Sequence, residues 1–121
     1  MTFQWSTYVE LASRLLQDRR SDLEEAYLRA SISRAYYGVF GAIWDKRGQR
    51  IAARYGSKHQ RLIMHLLNSP HPVDQKVGAA LERLRKARNL ADYEGLAVIT
   101  SRRARKALNL ASSIQKKIQE V

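Results

Sequence analysis

The chain has no cysteine among its 121 residues, so it can form neither a disulfide framework nor a thiolate metal site. Its two prolines, Pro70 and Pro72, lie close together, and no Asn-Gly or Asp-Gly pair signals a β-hairpin. No apolar run approaches the ~18 residues that a membrane-spanning helix needs. The N-terminus lacks the charged start and apolar stretch of a signal peptide. We therefore expect a cytoplasmic protein without a membrane segment.

Acidic residues are also few: 11 Asp and Glu stand against 22 Lys and Arg, which gives a formal net charge of +11. The apolar fraction of 45% is ordinary for a globular protein, so we expect one folded domain over residues 1–121. The basic residues are spread over several segments, which favours a surface that binds a polyanion such as nucleic acid. A solvated basic surface, or one that meets an acidic protein, is the alternative.

Helical patterns dominate the chain. Three segments begin with a Ser/Thr-x-x-Glu/Gln pattern that predicts a capping box, at Thr7, Ser21 and Ser57. A fourth helix follows the loop at residues 69–72, and a fifth follows a short link after Gly95. The predicted helices end near residues 19, 46, 68, 91 and 119. These lengths predict an all-α fold, an up-and-down bundle of four to five helices.

The second predicted helix is too apolar for a surface helix. Two adjoining stripes cover more than half of its circumference, and only two glycines interrupt them, Gly38 and Gly41. We therefore expect this helix to lie at the centre of the bundle or to be shared with a second subunit. The stripes comprise Leu23, Tyr27, Ala30, Ser33, Tyr37, Phe40 and Trp44, with Ala26, Tyr36, Val39 and Ile43 beside them.

An arginine occupies an apolar position on the fourth helix. The stripe of Val77, Leu81 and Leu84 continues by the helical step onto Arg88. A buried guanidinium is costly unless acceptors surround it. Asp92, four residues later, can form an ion pair that caps the helix. The alternative is that Arg88 faces a phosphate at the edge of an apolar interface.

Three segments carry a resemblance to a known family. Residues 30–40, Ala-Ser-Ile-Ser-Arg-Ala-Tyr-Tyr-Gly-Val-Phe, resemble the second-helix signature of HEPN domains. Residues 57–59, Ser-Lys-His, are similar to the Lys-His start of that family's third helix. Arg85, Arg88 and residues 91–93, Ala-Asp-Tyr, resemble the end of its fourth helix. The flanking helices match only in length and character.

The resemblance implies a small homodimeric helical bundle, often encoded beside a minimal nucleotidyltransferase with which it forms a toxin–antitoxin pair. Many family members are metal-independent endoribonucleases with an Arg-x(4–6)-His motif near the end of the fourth helix. The arginine stabilises charge on the phosphorane and the histidine transfers a proton. Neither a metal nor a cofactor is implied.

This chain departs from the active pattern, because Tyr93 stands where the family has histidine. An unperturbed tyrosine, with a pKa near ~10, is a poor base at neutral pH, although it can donate a proton or bind a phosphate. Arg54 and His59 also satisfy Arg-x(4)-His, but at the start of the third helix, where we interpret the match as coincidence and expect His59 to cap or pack. His65 and His71 have no spacing that suggests a metal site.

Two functions compete on this reading. The first is an RNA-binding, toxin-like protein or metal-independent ribonuclease with Arg88, Tyr93 and Asp92 at its centre. The second is a non-catalytic module that docks a nucleotidyltransferase, and a structural dimer fixed by Arg88 and Asp92 is a third, weaker reading. The loss of the histidine favours binding over catalysis. The first function also predicts a basic RNA-binding set, Arg83, Arg85, Arg102 and Arg103. It places the second-helix motif at the dimer interface, with Ser33, Arg34, Tyr36 and Tyr37.

Overall fold

The computed structural model describes residues 2–52 and 56–119, and these ranges contain five α-helices, one 3-10 turn and no strand. This confirms the predicted all-α bundle. None of the described helices is long and apolar enough to cross a membrane. The elements are α1 (Ser6–Gln17), α2 (Glu24–Arg47), the 3-10 turn (Gly48–Arg50), α3 (Lys58–Leu67), α4 (Pro72–Tyr93) and α5 (Ser101–Ile118).

The helix starts agree only partly with the predicted capping boxes. The box at Ser57 is confirmed: its hydroxyl accepts from the Gln60 backbone N–H, and the Gln60 side chain accepts from the Ser57 N–H. The predicted box at Thr7 is wrong, because α1 begins at Ser6 and Thr7 already lies within the helix. The Thr7 hydroxyl donates to the Gln4 carbonyl. The box at Ser21 is also wrong. Residues 21–23 form a turn, and α2 begins only at Glu24 without a side-chain cap.

Helix α2 is the central element, as predicted. It packs against α1, α4 and α5, and the side chains of Tyr36, Val39 and Ile43 are fully buried. The predicted apolar stripes do not match the buried face in the first two turns of α2, where Ala26 and Ala30 are exposed. The buried face of α2 in this part is formed by Leu28, Ser31 and Ile32, which neither predicted stripe contains.

The two α2 glycines allow α1 to approach closely. A Cβ at Gly38 would lie 2.7 Å from Val9 Cγ2 and 3.1 Å from the Trp5 carbonyl oxygen. A Cβ at Gly41 would overlap the indole ring of Trp5. These residues, which interrupt the apolar pattern in the sequence, lie within an unbroken helix. They are the contact surface for α1.

Candidate functional site

Arg88 lies on the buried stripe of α4, as the helical step predicted. Val77, Leu81 and Leu84 are fully buried, and Arg88 is only 4% exposed. Its Nη1 donates to the hydroxyls of Tyr37 and Tyr93, each at 3.2 Å. Its guanidinium carbon lies 5.1 to 5.5 Å from the ring centroids of three tyrosines, Tyr36, Tyr37 and Tyr93. Aromatic faces and hydroxyls therefore surround this cation.

The predicted Arg88–Asp92 ion pair does not form. Asp92 is exposed, and its carboxylate accepts a hydrogen bond from Ser33 of α2 at 3.1 Å. Arg34 donates in turn to the Ser33 hydroxyl at 3.2 Å. Within the described part of the chain, no carboxylate lies within 4.0 Å of an Arg88 nitrogen. The approach of α2 supplies Asp92 with a nearer partner, so Asp92 does not neutralise Arg88.

Helix α2 also fixes the end of α4 that carries Tyr93. Arg29 donates from Nη1 to the carbonyls of Leu90, Ala91 and Glu94, and from Nη2 to that of Ala97. Leu90 and Ala91 lie in the last turn of α4, where carbonyls can lack partners within the helix, and Glu94 and Ala97 belong to the cap and the loop that follow. This role of Arg29 could not be predicted from the sequence, since the carbonyls it contacts are more than 60 residues away.

His59 packs, as predicted, but it does so beside the tyrosines that hold Arg88. Its Nδ1 is hydrogen-bonded to the Tyr36 hydroxyl at 2.6 Å, and its ring stacks on Phe40 with centroids 4.3 Å apart. Burial lowers the pKa of His59 to about 4, and the charges of Arg88 and Arg85 contribute further. The imidazole is therefore neutral at pH 7. Burial also raises the pKa of Tyr36, so its phenol stays protonated.

Arg85 adds a second cation, one turn before Arg88. Its charge acts on both Tyr36 and His59, and its Nε is buried without a hydrogen-bond partner among the residues described. Two arginines, three phenols and one imidazole thus share a single region between α2, α3 and α4. We call it the Arg88 cluster: Tyr36, Tyr37, His59, Arg85, Arg88 and Tyr93.

Arg47, which is partly buried, is a cation of the same protein that does have a carboxylate partner. Arg47 donates to both carboxylate oxygens of Asp74, at 3.0 and 3.1 Å. Asp74 is 2% exposed and also accepts from the Ser69 hydroxyl at 2.6 Å. Burial alone would raise the pKa of Asp74, but these bonds and the Arg47 charge together lower it. Arg47 is therefore neutralised, whereas Arg88 is not.

The residues predicted to bind RNA do not form one surface in the monomer. Arg85 belongs to the Arg88 cluster, while Arg83 and Arg103 line a groove of about 300 Å³ between α4 and α5. Arg102 is exposed elsewhere on α5. The predicted second-helix interface motif is also divided, because Ser33 and Tyr36 are buried within the single chain and Arg34 and Tyr37 are partly buried.

The larger cavity, about 730 Å³, contains none of the predicted catalytic residues. It lies beside the Arg47–Asp74 pair and is lined by Arg50, Arg61 and His65, among others. In residues 2–52 and 56–119, no group of three or more His, Asp or Glu side chains is placed to hold a metal ion. Arg54, half of the coincidental motif, lies outside the described residues.

Comparison with known proteins gives no match: neither a family model, nor a curated protein, nor a solved structure matches this chain. The HEPN resemblance therefore depends on the three sequence motifs alone. In the structure, residues from all three motifs lie together, and they include Tyr36, His59 and Arg88. This role of His59 was not predicted, although the sequence contains both the capped start of α3 and the aromatic stripe of α2.

Proposed function

We propose that this chain is a HEPN-type RNA-binding protein in which the Arg88 cluster holds a phosphate of the RNA backbone. The observation that carries the proposal is the uncompensated charge of Arg88 and Arg85. Folding buries Arg88 without a carboxylate partner, although the chain neutralises Arg47 fully. A phosphate is the acceptor that suits a guanidinium best, because it accepts two parallel N–H bonds.

The donors of Arg88 support this assignment. A guanidinium has five N–H groups, and Nη1 uses its two on the hydroxyls of Tyr37 and Tyr93. The remaining donors, on Nε and Nη2, have no acceptor among the described residues. Tyr93 is 69% exposed, so it lies between Arg88 and solvent. A rotation of the Tyr93 side chain would open a path for a phosphate to Arg88.

The same geometry favours binding over cleavage. General-base catalysis works best when the pKa of the base lies near the working pH. His59 has a pKa of about 4, and its Nδ1 is already bonded to Tyr36. At the position of the family's histidine stands Tyr93, whose hydroxyl accepts from Arg88. The cluster thus supplies positive charge for a phosphate without a base suited to neutral pH.

The test is RNA binding and cleavage by the purified protein in EDTA. Fluorescence polarisation with a labelled single-stranded RNA compares the wild type with Arg88→Ala and with Arg105→Ala. Arg105 is an exposed arginine of α5, so its loss removes the same charge away from the cluster. Removing one buried phosphate contact should weaken binding about tenfold or more, while the control should change it about twofold or less.

Gel analysis of the same RNA reports cleavage. We expect none from the wild type. Tyr93→His completes the Arg-x(4)-His motif, so cleavage by this variant in EDTA would show that only the histidine is missing. Equal affinity of the wild type and Arg88→Ala would refute the proposed phosphate site. Wild-type cleavage that Arg88→Ala abolishes would keep the site and overturn its assignment as non-catalytic.

A further inference from the structure

A second concave surface lies on the other side of α4. Arg83, Lys86 and Leu90 point into it, whereas Arg85 and Arg88 point toward α2 and α3. We name this surface the α4–α5 groove, and its volume is about 300 Å³. Its floor is formed by Ile32, Ala87, Leu90, Ile99, Ala107 and Leu110.

Further apolar side chains are exposed next to the groove residues in the sequence. Leu90 is 37% exposed, and the loop before α5 adds Leu96, which is fully exposed, and Val98, which is 69% exposed. Val98 immediately precedes Ile99 of the floor. A single exposed leucine needs no explanation, but a concave apolar surface with adjoining exposed apolar side chains is typical of an interaction site.

The rim of the groove is entirely basic. Four exposed side chains line it: Arg83, Lys86, Arg103 and Lys106. Of these four cations, only Lys86 has a carboxylate of the described residues within 4.0 Å, that of Glu82 on the same helix. The groove therefore offers four cations with little internal neutralisation, and it would attract acidic groups placed around an apolar segment.

We infer that the α4–α5 groove binds an acidic amphipathic α-helix of another protein. A helix fits because the groove lies between two long helices and because the described residues present no strand edge that could pair with an extended peptide. The apolar face of the helix would lie on the floor, and its flanking Asp and Glu side chains would contact the rim. This binding is independent of the phosphate site.

Two other occupants suit the groove less well. RNA bases recognised by proteins stack chiefly on aromatic side chains, and no aromatic residue lines the groove. A second copy of this chain carries a net charge of +11, so its approach to a rim of four cations is repulsive. Charge and floor chemistry together select an acidic protein segment.

A displayed peptide library tests the inference. The library consists of helical peptides of about 16 residues with Leu, Ile, Met or Phe at i, i+3, i+4 and i+7 and Glu at the flanking positions. A matched library carries Lys in place of Glu. Selected peptides are then measured against Leu90→Asp and against the double variant Arg103→Glu/Lys106→Glu. The control is Arg102→Glu/Arg105→Glu, an equal change at exposed positions of α5 that do not line the groove.

We expect binders from the Glu library only. Both groove variants should weaken their binding about tenfold or more, and the control about twofold or less. No binder from the Glu library, equal selection from the Lys library, or binding insensitive to the groove variants would overturn the inference. Self-association of the wild type that Leu90→Asp abolishes would also overturn it, because a second copy would then occupy the groove. RNA binding abolished by Leu90→Asp would assign the groove to RNA instead. Circular dichroism of each variant excludes unfolding as the cause.

Discussion

At individual residues, two arginines have opposite surroundings: Arg88 is buried and Arg47 is partly buried. Arg47 is held by a bidentate carboxylate at 3.0 and 3.1 Å, whereas Arg88 contacts only phenols and aromatic rings. A buried ion pair is a structural element whose disruption is costly, and a buried unpaired cation carries a desolvation penalty. Loss of one partner of the pair should therefore reduce stability, whereas loss of the unpaired cation should reduce binding.

Replacing Arg88 by methionine should separate stability from binding. Methionine fills similar space without charge, so the lost cation–aromatic contacts are offset by the removal of a buried unpaired charge. We expect the free energy of unfolding of Arg88→Met to lie within about 1 kcal/mol of the wild-type value. We expect the variant to bind RNA about tenfold more weakly. Urea unfolding and fluorescence polarisation measure the two quantities. A stability loss above about 3 kcal/mol would assign Arg88 a structural role.

Replacing Asp74 by asparagine should have the opposite effect. The variant leaves Arg47, whose side chain is 12% exposed, without a charged partner. We expect a loss of about 3 kcal/mol in the free energy of unfolding, with RNA binding by the folded protein unchanged. Glu82→Gln is the control, because its ion pair with Lys86 is exposed and 4.0 Å long, and it should cost below about 1 kcal/mol. Equal losses in both variants would contradict the account.

The titration of His59 reports on the Arg88 cluster directly. The pKa of His59 is about 4 in the folded protein, against the ordinary value of 6.5. The unfolded chain therefore takes up the proton at a higher pH than the folded protein does. The contribution of His59 to stability is complete above pH 6.5 and is lost as the pH falls toward 4. NMR of the imidazole should show a midpoint near pH 4. Arg88→Met should raise that midpoint, because it removes a positive charge that acts on the ring. A wild-type midpoint near 6.5 would contradict the described packing.

At the scale of the elements, the sequence predicted five helices and the ends of most of them within about two residues. Capping was less predictable, because the same Ser/Thr-x-x-Glu/Gln pattern occurs at Thr7, Ser21 and Ser57 but forms a box only at Ser57. At Ser21 the chain turns before the helix begins, and the turn depends on contacts that the local pattern does not contain. Local patterns predict that a helix exists better than they predict its first residue.

The same limit applies to the site. The burial of Arg88 was predictable from the spacing of Leu81 and Leu84 on one helix. The partners of Asp92 and His59 were not, because they lie on α2, 59 and 23 residues away in sequence. Contacts within a helix follow from its period, whereas contacts between helices require the packing arrangement.

The close contact of α1 with α2 makes a prediction about glycine. In an open helix, Gly→Ala stabilises by about 1 kcal/mol. At Gly38 the new methyl group would press on Val9 and the Trp5 carbonyl, so we expect Gly38→Ala to destabilise by about 1 to 3 kcal/mol instead. Gly95→Ala is the control, since a Cβ there meets nothing within 4 Å. Thermal unfolding of both variants measures the difference, and a Gly38→Ala variant as stable as the wild type would show that α1 can move away.

At the scale of the whole molecule, the net charge of +11 is divided between distinct surfaces. The Arg88 cluster combines cations with phenols and an imidazole, and the α4–α5 groove combines cations with an aliphatic floor. Composition predicted the excess charge but not this division, because Arg83 and Arg85 are two residues apart and face opposite sides of α4. We propose that the first surface binds RNA and the second binds an acidic helix, so the protein could hold both together.

The most direct test of the central claim is to observe the Arg88 guanidinium while RNA is added. The Nε–H resonance of Arg88 is identified by its absence from the ¹⁵N–¹H spectrum of Arg88→Met, and that of exposed Arg105 by the same method. We expect the Arg88 resonance to shift and saturate in parallel with RNA binding, while the Arg105 resonance changes little. An Arg88 resonance that stays in place while the RNA binds to saturation would contradict the claim that this arginine holds a phosphate.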